Sequence, residues 1–372
     1  MHIPFLDVSA SNAELEADID AAYHRVMKSG QYVLGPEMEA FEAEFAAYCG
    51  GGHCVAVGTG CDALELILRA NDIGPGAEVI VPAHTFIATW LAVSSVGARP
   101  VPVEPAEDTY TLDPDRIEAA ITPRTRAIIP VHLYGHPAAM RAIEDVATRH
   151  GLLVIQDAAQ APGARCHGQR LGSGCSPVAF SFYPGKNLGA VGDGGAVVTS
   201  DAALADRIRM LRNYGSRVKY EHEVRGTNSR LDELQAAILR VKLTRLDAWN
   251  TRRAAIAGRY LSELAGIDDV LLPRVASWAS PVWHLFVIRS KRRAELHRRL
   301  AAAGVETLVH YPVPVHRSNA YAATDWPIGS FPLTERLSHE VLSLPIGPHL
   351  SEQAVTAVVS AVVEATDDKE SP

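Results

Sequence analysis

Apolar positions along the first half of the chain alternate between two rhythms. Short runs rich in β-branched residues, "HCVAVG" (53–58), "AEVIVP" (77–82) and "RPVPVE" (99–104), read as buried strands. Between them lie stretches with a helical repeat. In "CDALELILRAN" (61–71) Leu64, Ile67 and Leu68 share one face, while "TFIATWLAVSSVG" (85–97) and "AMRAIEDVATRHG" (139–151) each end on a glycine. "RAIIPVHLYG" (126–135) and "LLVIQDAAQA" (152–161) each predict a strand running into a loop. This β-α-β-α order predicts an α/β fold, a mostly parallel sheet flanked by helices. Ligands of such sheets bind beyond the C-terminal strand ends, so the residues that follow each strand carry the first functional candidates.

The pattern changes past "GGAVVTSD" (194–201). A helix is expected over "AALADRIRMLRNYG" (202–215), closed by Gly215, followed by a polar stretch (216–229) too long and charged for a simple turn, which reads as a functional loop. From Ser229, a candidate cap, a helix-like pattern continues for over thirty residues. One long helix bridging two lobes is the expectation, with the boundary inside it: residues 1–245 form a large domain and 246–372 a smaller α+β domain. The latter would use "WHLFVIRS", "RAELHRRLAAAG", "VETLVHYP" and "AVTAVVSAVVEAT". The tail "DDKESP" (367–372) reads as disordered, and no internal repeat is visible.

Composition narrows the function classes. A chain of 372 residues is too long for one compact core, and 47% apolar with 21% charged residues fits a soluble globular protein. The net charge of −8, with both signs interspersed, gives no reason to expect nucleic acid or an anionic membrane as partner. Five cysteines (Cys49, Cys54, Cys61, Cys166, Cys175) form no C-x-x-C pair, so no metal site is expected and reduced thiols in the cytoplasm are the default. The start, "MHIPFLDVSA", lacks the charge and apolar pattern of an export signal, and every apolar run is broken before membrane-spanning length.

The chemistry centres on "AFSFYPGKNLGAVGDGG" (179–195), where Lys186 sits between an aromatic run and a chain of glycines. A phosphate-binding P-loop, G-x-x-x-x-G-K-S/T, fails twice, at Phe180 and at Asn187. A dinucleotide fingerprint fails because "GAVGDGG" leads into a strand. A lysine that holds an aldehyde cofactor as a Schiff base fits better, since partial desolvation would lower its pKa; an ordinary structural or surface lysine is the alternative. Ser181, five residues earlier, suits a phosphate donor. Asp157, 29 residues before Lys186, follows a buried strand, where an acid needs a positive partner such as a protonated pyridine nitrogen; a loop cap is its simpler role. Gln160 could contact the ring or serve as a plain loop residue. In "GTGCDALEL", Thr59, Gly60 and Cys61 present a hydroxyl and backbone N–H groups at a helix N-terminus, a natural phosphate site, though Thr59 equally fits a cap. Phe86, in "PAHTFIATW", could stack on a flat cofactor or belong to the core.

These segments, in this order, resemble the nucleotide-sugar aminotransferases of the fold-type I pyridoxal-phosphate enzymes. The likeness covers nearly the whole chain and includes "SGQYVLGPEMEAFEAEFAAYCG", "QDAAQAPGA", "MLRNYGS", "GTNSRLDELQAAIL", "HYPVPVH" and "LSLPIGPHL". The resemblance implies that Lys186 carries the cofactor, pyridoxal 5′-phosphate, and that Asp157 meets its ring nitrogen, with Gln160 beside the ring. It implies Thr59, Gly60 and Ser181 around the phosphate and Phe86 on the ring. Asn228 in "GTNSRLDE" would reach the phosphate of a neighbouring subunit, so the active site would be shared in a homodimer. The branch most resembled makes dTDP-3-amino sugars for antibiotic-type products from dTDP-3-keto-6-deoxyhexoses, with L-glutamate as usual donor. Tyr183, Tyr214, Tyr311 and His316 are candidates for sugar or diphosphate contacts, and each also fits a core or hinge role. Related dehydratases carry histidine in place of the cofactor lysine; Lys186 favours transamination. One departure is Gln156, where relatives commonly have an acid. A 4-ketosugar aminotransferase acting on dTDP or UDP sugars and a non-catalytic cofactor-binding regulator are the rival readings.

Overall fold

The computed structural model describes residues 1–323 and 326–367, so residues 368–372 of the tail expected to be disordered lie outside the described residues. Two four-stranded ladders meet in the middle of the molecule. One runs in the order Arg99–Val103, Glu78–Pro82, Thr125–Ile128, Leu153–Val154; the other runs Gln156–Asp157, Val178–Ser181, Gly195–Thr199, His53–Val57. Only Ile155 separates the two, and its N–H still bonds Ile128 O at 2.9 Å, as that of Asp157 bonds Pro130 O, so both ladders form one surface. Every pairing in it is parallel except those of Gly195–Thr199, antiparallel to both neighbours. Val57, Gly195 and Ser181 share a register. The ends of the parallel strands therefore reach the same edge at which the antiparallel one begins.

Strand alternation sends successive side chains to opposite layers. Val55, Ala179 and Val197 pack with Leu64, Ile67 and Trp90 on one face; Phe180 and Val198 pack with Phe41, Phe45 and Leu239 on the other. On that second face Phe45 meets Phe180 and Phe182 edge-on, with ring centroids 5.0 and 5.3 Å apart. Fully burying each such ring stabilises the fold by about 1.5–3 kcal/mol.

Two helices to which the apolar pattern assigned no element, Glu16–Ser29 and Pro36–Cys49, pack against Glu233–Leu243. The carboxylate of Glu233 accepts from the N–H groups of Gly35, Glu37 and Met38 (2.9, 2.8 and 3.0 Å), capping the second of them from far along the chain. A Cβ on Gly35 would lie 2.9 Å from Glu233 Oε2, so the close approach needs glycine.

The single long helix expected from Ser229 is two helices, Glu233–Leu243 and Leu246–Glu263. At the break the N–H groups of Thr244 and Arg245 bond three residues back, to Val241 and Lys242, which tightens the last turn and ends the helix. Ser229 caps neither: its Oγ accepts from Gly58 N–H (2.9 Å) and donates to Asp62 (2.6 Å). The polar stretch before it forms a short exposed hairpin, Ser216–Val218 with Glu221–His222.

Beyond residue 246, Phe286–Arg289 pairs antiparallel with Val341–Leu344. A separate core gathers Ile256, Tyr260, Phe286, Leu300, Leu344 and Val358. Ile3 packs into this same core, where its N–H bonds Gly304 O and its carbonyl accepts from Glu306.

Candidate active site

A cavity of about 600 Å³ opens at the strand ends, walled partly by His284, Leu285, Leu308, His310, Tyr311 and Ile346. Thr59, Gly60, Cys61, Phe86, Asp157 and Gln160 line it, as do Ser181, Tyr183, Lys186 and Tyr311. The fold thus collects ten of the thirteen candidate residues in one space.

One end is a cup. Helix Gly60–Ala70 starts there with Thr59 as its cap, Oγ1 accepting from Asp62 N–H at 3.0 Å. The amides of Gly60 and Cys61 lie in the first turn, where helical N–H groups have no intrahelical acceptor. A Cβ on Gly60 would sit 2.7 Å from Ser181 Cβ, so glycine alone lets strand end and helix start close together. The cup suits an anion with several oxygens. Thr59 therefore caps the helix and also faces the cavity.

The floor holds a buried acid. Asp157 Oδ1 accepts from Ala159 N–H (3.1 Å) and Oδ2 from the Thr89 hydroxyl (2.9 Å). With that proton committed, Thr85 donates in turn to Thr89 (3.1 Å). Burial pushes the Asp157 carboxyl above its ordinary value, against the opposing pull of these two donors and of Lys186. Lys186 follows the turn after Ser181, its N–H bonded to Tyr183 O at 2.8 Å. It borders the cavity, and burial lowers its amine to about 8, with Asp157 pulling the other way. A lysine so placed is neutral and nucleophilic in a far larger fraction near physiological pH than an exposed one.

Gln160 is fixed at both ends of its amide. Oε1 accepts from Tyr134 N–H (2.6 Å) and Nε2 donates to the Tyr311 hydroxyl (3.0 Å). Tyr311 lies 5.5 Å from the ring of Phe86, at a tilt of 38°. The pattern-based reading missed several neighbours: Thr89, Asp193, His284 and His310, with Phe5 and Leu6 from the N-terminus. Thr85 and Thr89, one helical turn apart below "PAH", were a readable signal; His284 and His310 stood in quoted segments without a role. His284 Nδ1–H donates to Asn187 Oδ1 (3.1 Å), because the Asn187 amide nitrogen is spent on Asn250 and Val282. Burial and the nearby lysine hold both imidazoles below their ordinary range, His310 at about 4. At neutral pH they face the cavity uncharged.

Three candidates fall elsewhere. His316 is buried against Phe331, its Nε2 3.0 Å from Glu335, and does not line the cavity. Its neighbours Tyr311 and His310 do, because the proline-bearing segment turns away after them. Tyr214 is half-exposed below the Arg230 guanidinium, and Asn228 is exposed and bridged by backbone to Asn213. Gln156 accepts from His132 Nε2 (3.0 Å), whose Nδ1 accepts from Ala138 N–H, so a neutral amide meets an imidazole that burial holds at about 4.

A helix-flanked sheet whose strand ends hold a half-buried lysine, a buried acid and an anion cup is the arrangement of a Schiff-base enzyme. The chain belongs to the DegT/DnrJ/EryC1/StrS aminotransferase family, whose model matches residues 13–363. It is 62% identical to the dTDP-3-amino-3,4,6-trideoxy-alpha-D-glucose transaminase of Streptomyces venezuelae, covering 97% of this chain and 96% of that one. It is also 62% identical to the erythromycin biosynthesis sensory transduction protein EryC1 of Saccharopolyspora erythraea (97% and 99% covered). The crystal structure of S. venezuelae DesV in complex with a ketimine intermediate superposes with a TM-score of 0.98 at 61% identity, over 98% of this chain and 99% of that one.

The family cofactor is pyridoxal 5′-phosphate, and the residues present fit it. The cup matches its phosphate, because glycine at position 60 lets the start of the helix lie close against Ser181. The buried Asp157 carboxylate, satisfied only by neutral donors and the more distant lysine, matches a cationic ring nitrogen.

Proposed function

We propose that this chain transfers the amino group of L-glutamate to C3 of a dTDP-3-keto-deoxyhexose, giving the dTDP-3-amino sugar. One observation carries the reading: Lys186, Asp157 and the Thr59–Gly60–Ser181 cup border one cavity. The similarity to a dTDP-3-amino-trideoxyglucose transaminase along nearly the full length supports the choice of sugar. Pyridoxal phosphate, when bound, supplies an electrophilic carbon and an electron-accepting ring. The chain does the rest. Asp157 stabilises positive charge at the ring nitrogen, Thr59, Gly60 and Ser181 anchor the phosphate, and Phe86 covers one face. The Lys186 amine, once freed, moves the proton that leaves the α-carbon of the donor and returns one to C3 of the sugar. Tyr183 and Tyr311 serve as contacts for the sugar and its diphosphate.

The working unit in this reading is a homodimer. Tyr214, Val218 and Tyr220 are 49%, 57% and 82% exposed, large side chains on and beside an otherwise charged hairpin that suit contact with a partner copy, and Asn228 lies just beyond it. Asn228 would then complete the phosphate cup of the other subunit. We place the boundary between the lobes at residue 245, by the helix break. The five free cysteines suit a reducing compartment, the cytoplasm.

The test is a half-reaction followed by a substrate panel. Glutamate should convert the cofactor-loaded protein to its aminated form with loss of the absorbance near 400 nm expected of the Schiff base, and a dTDP-3-ketosugar should restore it. Restoration by a 4-ketosugar alone would establish the 4-aminotransferase instead. No conversion by glutamate would leave a cofactor-binding regulator.

A further inference from the structure

His284 stands in the wall of the main cavity, and its hydrogen-bonding character is set from behind that wall. The relay begins at a backbone carbonyl. Asn250 Nδ2 donates to Pro162 O (3.1 Å), which leaves Asn250 Oδ1 for Asn187. Asn187 Nδ2 donates to that oxygen and to Val282 O, at 2.9 Å each. Asn187 Oδ1 therefore faces His284 Nδ1 as an acceptor, at 3.1 Å, and the ring must bring the proton. Two carbonyls that can only accept thus fix the tautomer: Nδ1 carries the hydrogen and Nε2 a lone pair.

The charge is fixed as well. Burial, with Lys186, Arg253 and His310 acting from nearby, holds the imidazole well below its ordinary range. Asn187 lies outside the main cavity while His284 lines it, and the two nitrogens of an imidazole point in diverging directions, so Nε2 faces the chamber. It makes no hydrogen bond among the described residues and is open to solvent. The amine of Lys186 is in the same condition, unpartnered among the described residues and open to the same chamber. His310, the second imidazole on this wall, lacks such a constraint: its Nδ1 lies 2.8 Å from the Ser343 hydroxyl, which can donate or accept.

We propose that His284 is a positioning residue for the lysine: once the Lys186 amine is freed, one of its N–H groups donates to His284 Nε2. That bond holds the amine in one orientation while it receives the α-proton of the donor. The C–H bond breaks, a further N–H forms on Lys186, and the imidazole gains no proton; it meets the new ammonium as a neutral acceptor. The proposal rests on amino transfer through Lys186 and not on the identity of the sugar.

Two substitutions separate this role from a purely structural one. His284→Asn keeps a donor for Asn187 and removes the acceptor. His284→Gln reaches the Nε2 position with its amide oxygen and leaves Asn187 without its donor. In stopped-flow half-reactions of the holoenzyme with L-glutamate, His284→Asn should lower the limiting rate about tenfold, as for one hydrogen bond, with half-saturating glutamate unchanged. His284→Gln should recover most of that loss. A parental rate in His284→Asn, or the reverse ranking of the two, overturns the proposal. NMR of the parent enzyme, its histidines labelled with the heavy nitrogen isotope, tests the same point without altering His284. The ring should be the neutral Nδ1–H tautomer, and in the aminated enzyme its Nε2 resonance should be displaced from that in Lys186→Ala loaded with the same aminated cofactor. A proton on Nε2, or equal resonances in the two proteins, overturns the proposal even if neither His284 variant folds. No conversion of the parent enzyme by glutamate would instead remove amino transfer itself, and this inference with it.

Discussion

The floor and the mouth of the main cavity are built on opposite principles. At the floor the acid and the amide are engaged within one chain: Asp157 with Thr89 and Ala159, Gln160 with Tyr134 and Tyr311, and behind them Asn187 with Asn250 and His284. At the mouth the side chains stand apart. Phe86 and Tyr183 are 52% and 59% exposed, and Tyr214, Tyr220 and Asn228 lie outside the cavity of the single chain. A preorganised floor holds charge at fixed positions without reorganising during reaction. The mouth is left for substrate and, in our proposal, for the second subunit.

Substitutions can break this contrast, beginning at the floor. Lys186→Ala should lower turnover by at least roughly 10⁴-fold, the upper range for acid–base groups, while circular dichroism and melting stay near those of the parent. Turnover within tenfold of the parent would remove Lys186 from the chemistry. Asp157→Asn keeps the shape but removes the charge, and kcat should fall by roughly 10³-fold; a loss confined to KM would contradict its assignment to the ring.

At the mouth the effects are smaller and depend on assembly. Asn228→Ala should weaken retention of pyridoxal phosphate about tenfold, as for one hydrogen bond to a charged group, measured by equilibrium dialysis. Hybrid dimers with Lys186→Ala subunits should recover parental affinity at the site that receives an intact Asn228; without recovery, the residue does not act across an interface. The mildest test uses pH alone. Capture of pyridoxal phosphate by cofactor-free protein requires the neutral amine, and burial places Lys186 at about 8. The stopped-flow rate should therefore climb about tenfold per pH unit below that value and level off above it. A plateau delayed until pH 10 would mean that the amine is not desolvated.

The same contrast explains what could be read from the chain. Thr59 and Lys186 follow strands and Asp157 and Ser181 end them, and in a parallel sheet strand ends converge, so local pattern was enough to bring them together. His316 was offered as a contact because it stands near Tyr311 in sequence, but the segment turns and buries it against Glu335 and Phe331. Ser229 had the composition of a cap, yet its hydroxyl is used by Gly58 and Asp62, more than 160 residues away. Helix Pro36–Cys49 draws its cap from Glu233, nearly 200 residues on. Periodicity sees neighbours along the chain and is blind to partners of that kind.

The first residues of the polypeptide have practical weight. Ile3 is stitched to Val305 and Glu306, the Met1 carbonyl lies 2.6 Å from where Gly304 would carry a Cβ, and Phe5 and Leu6 reach the reaction chamber itself. An affinity tag or fusion partner joined ahead of Met1 would therefore pull on the wall of that chamber.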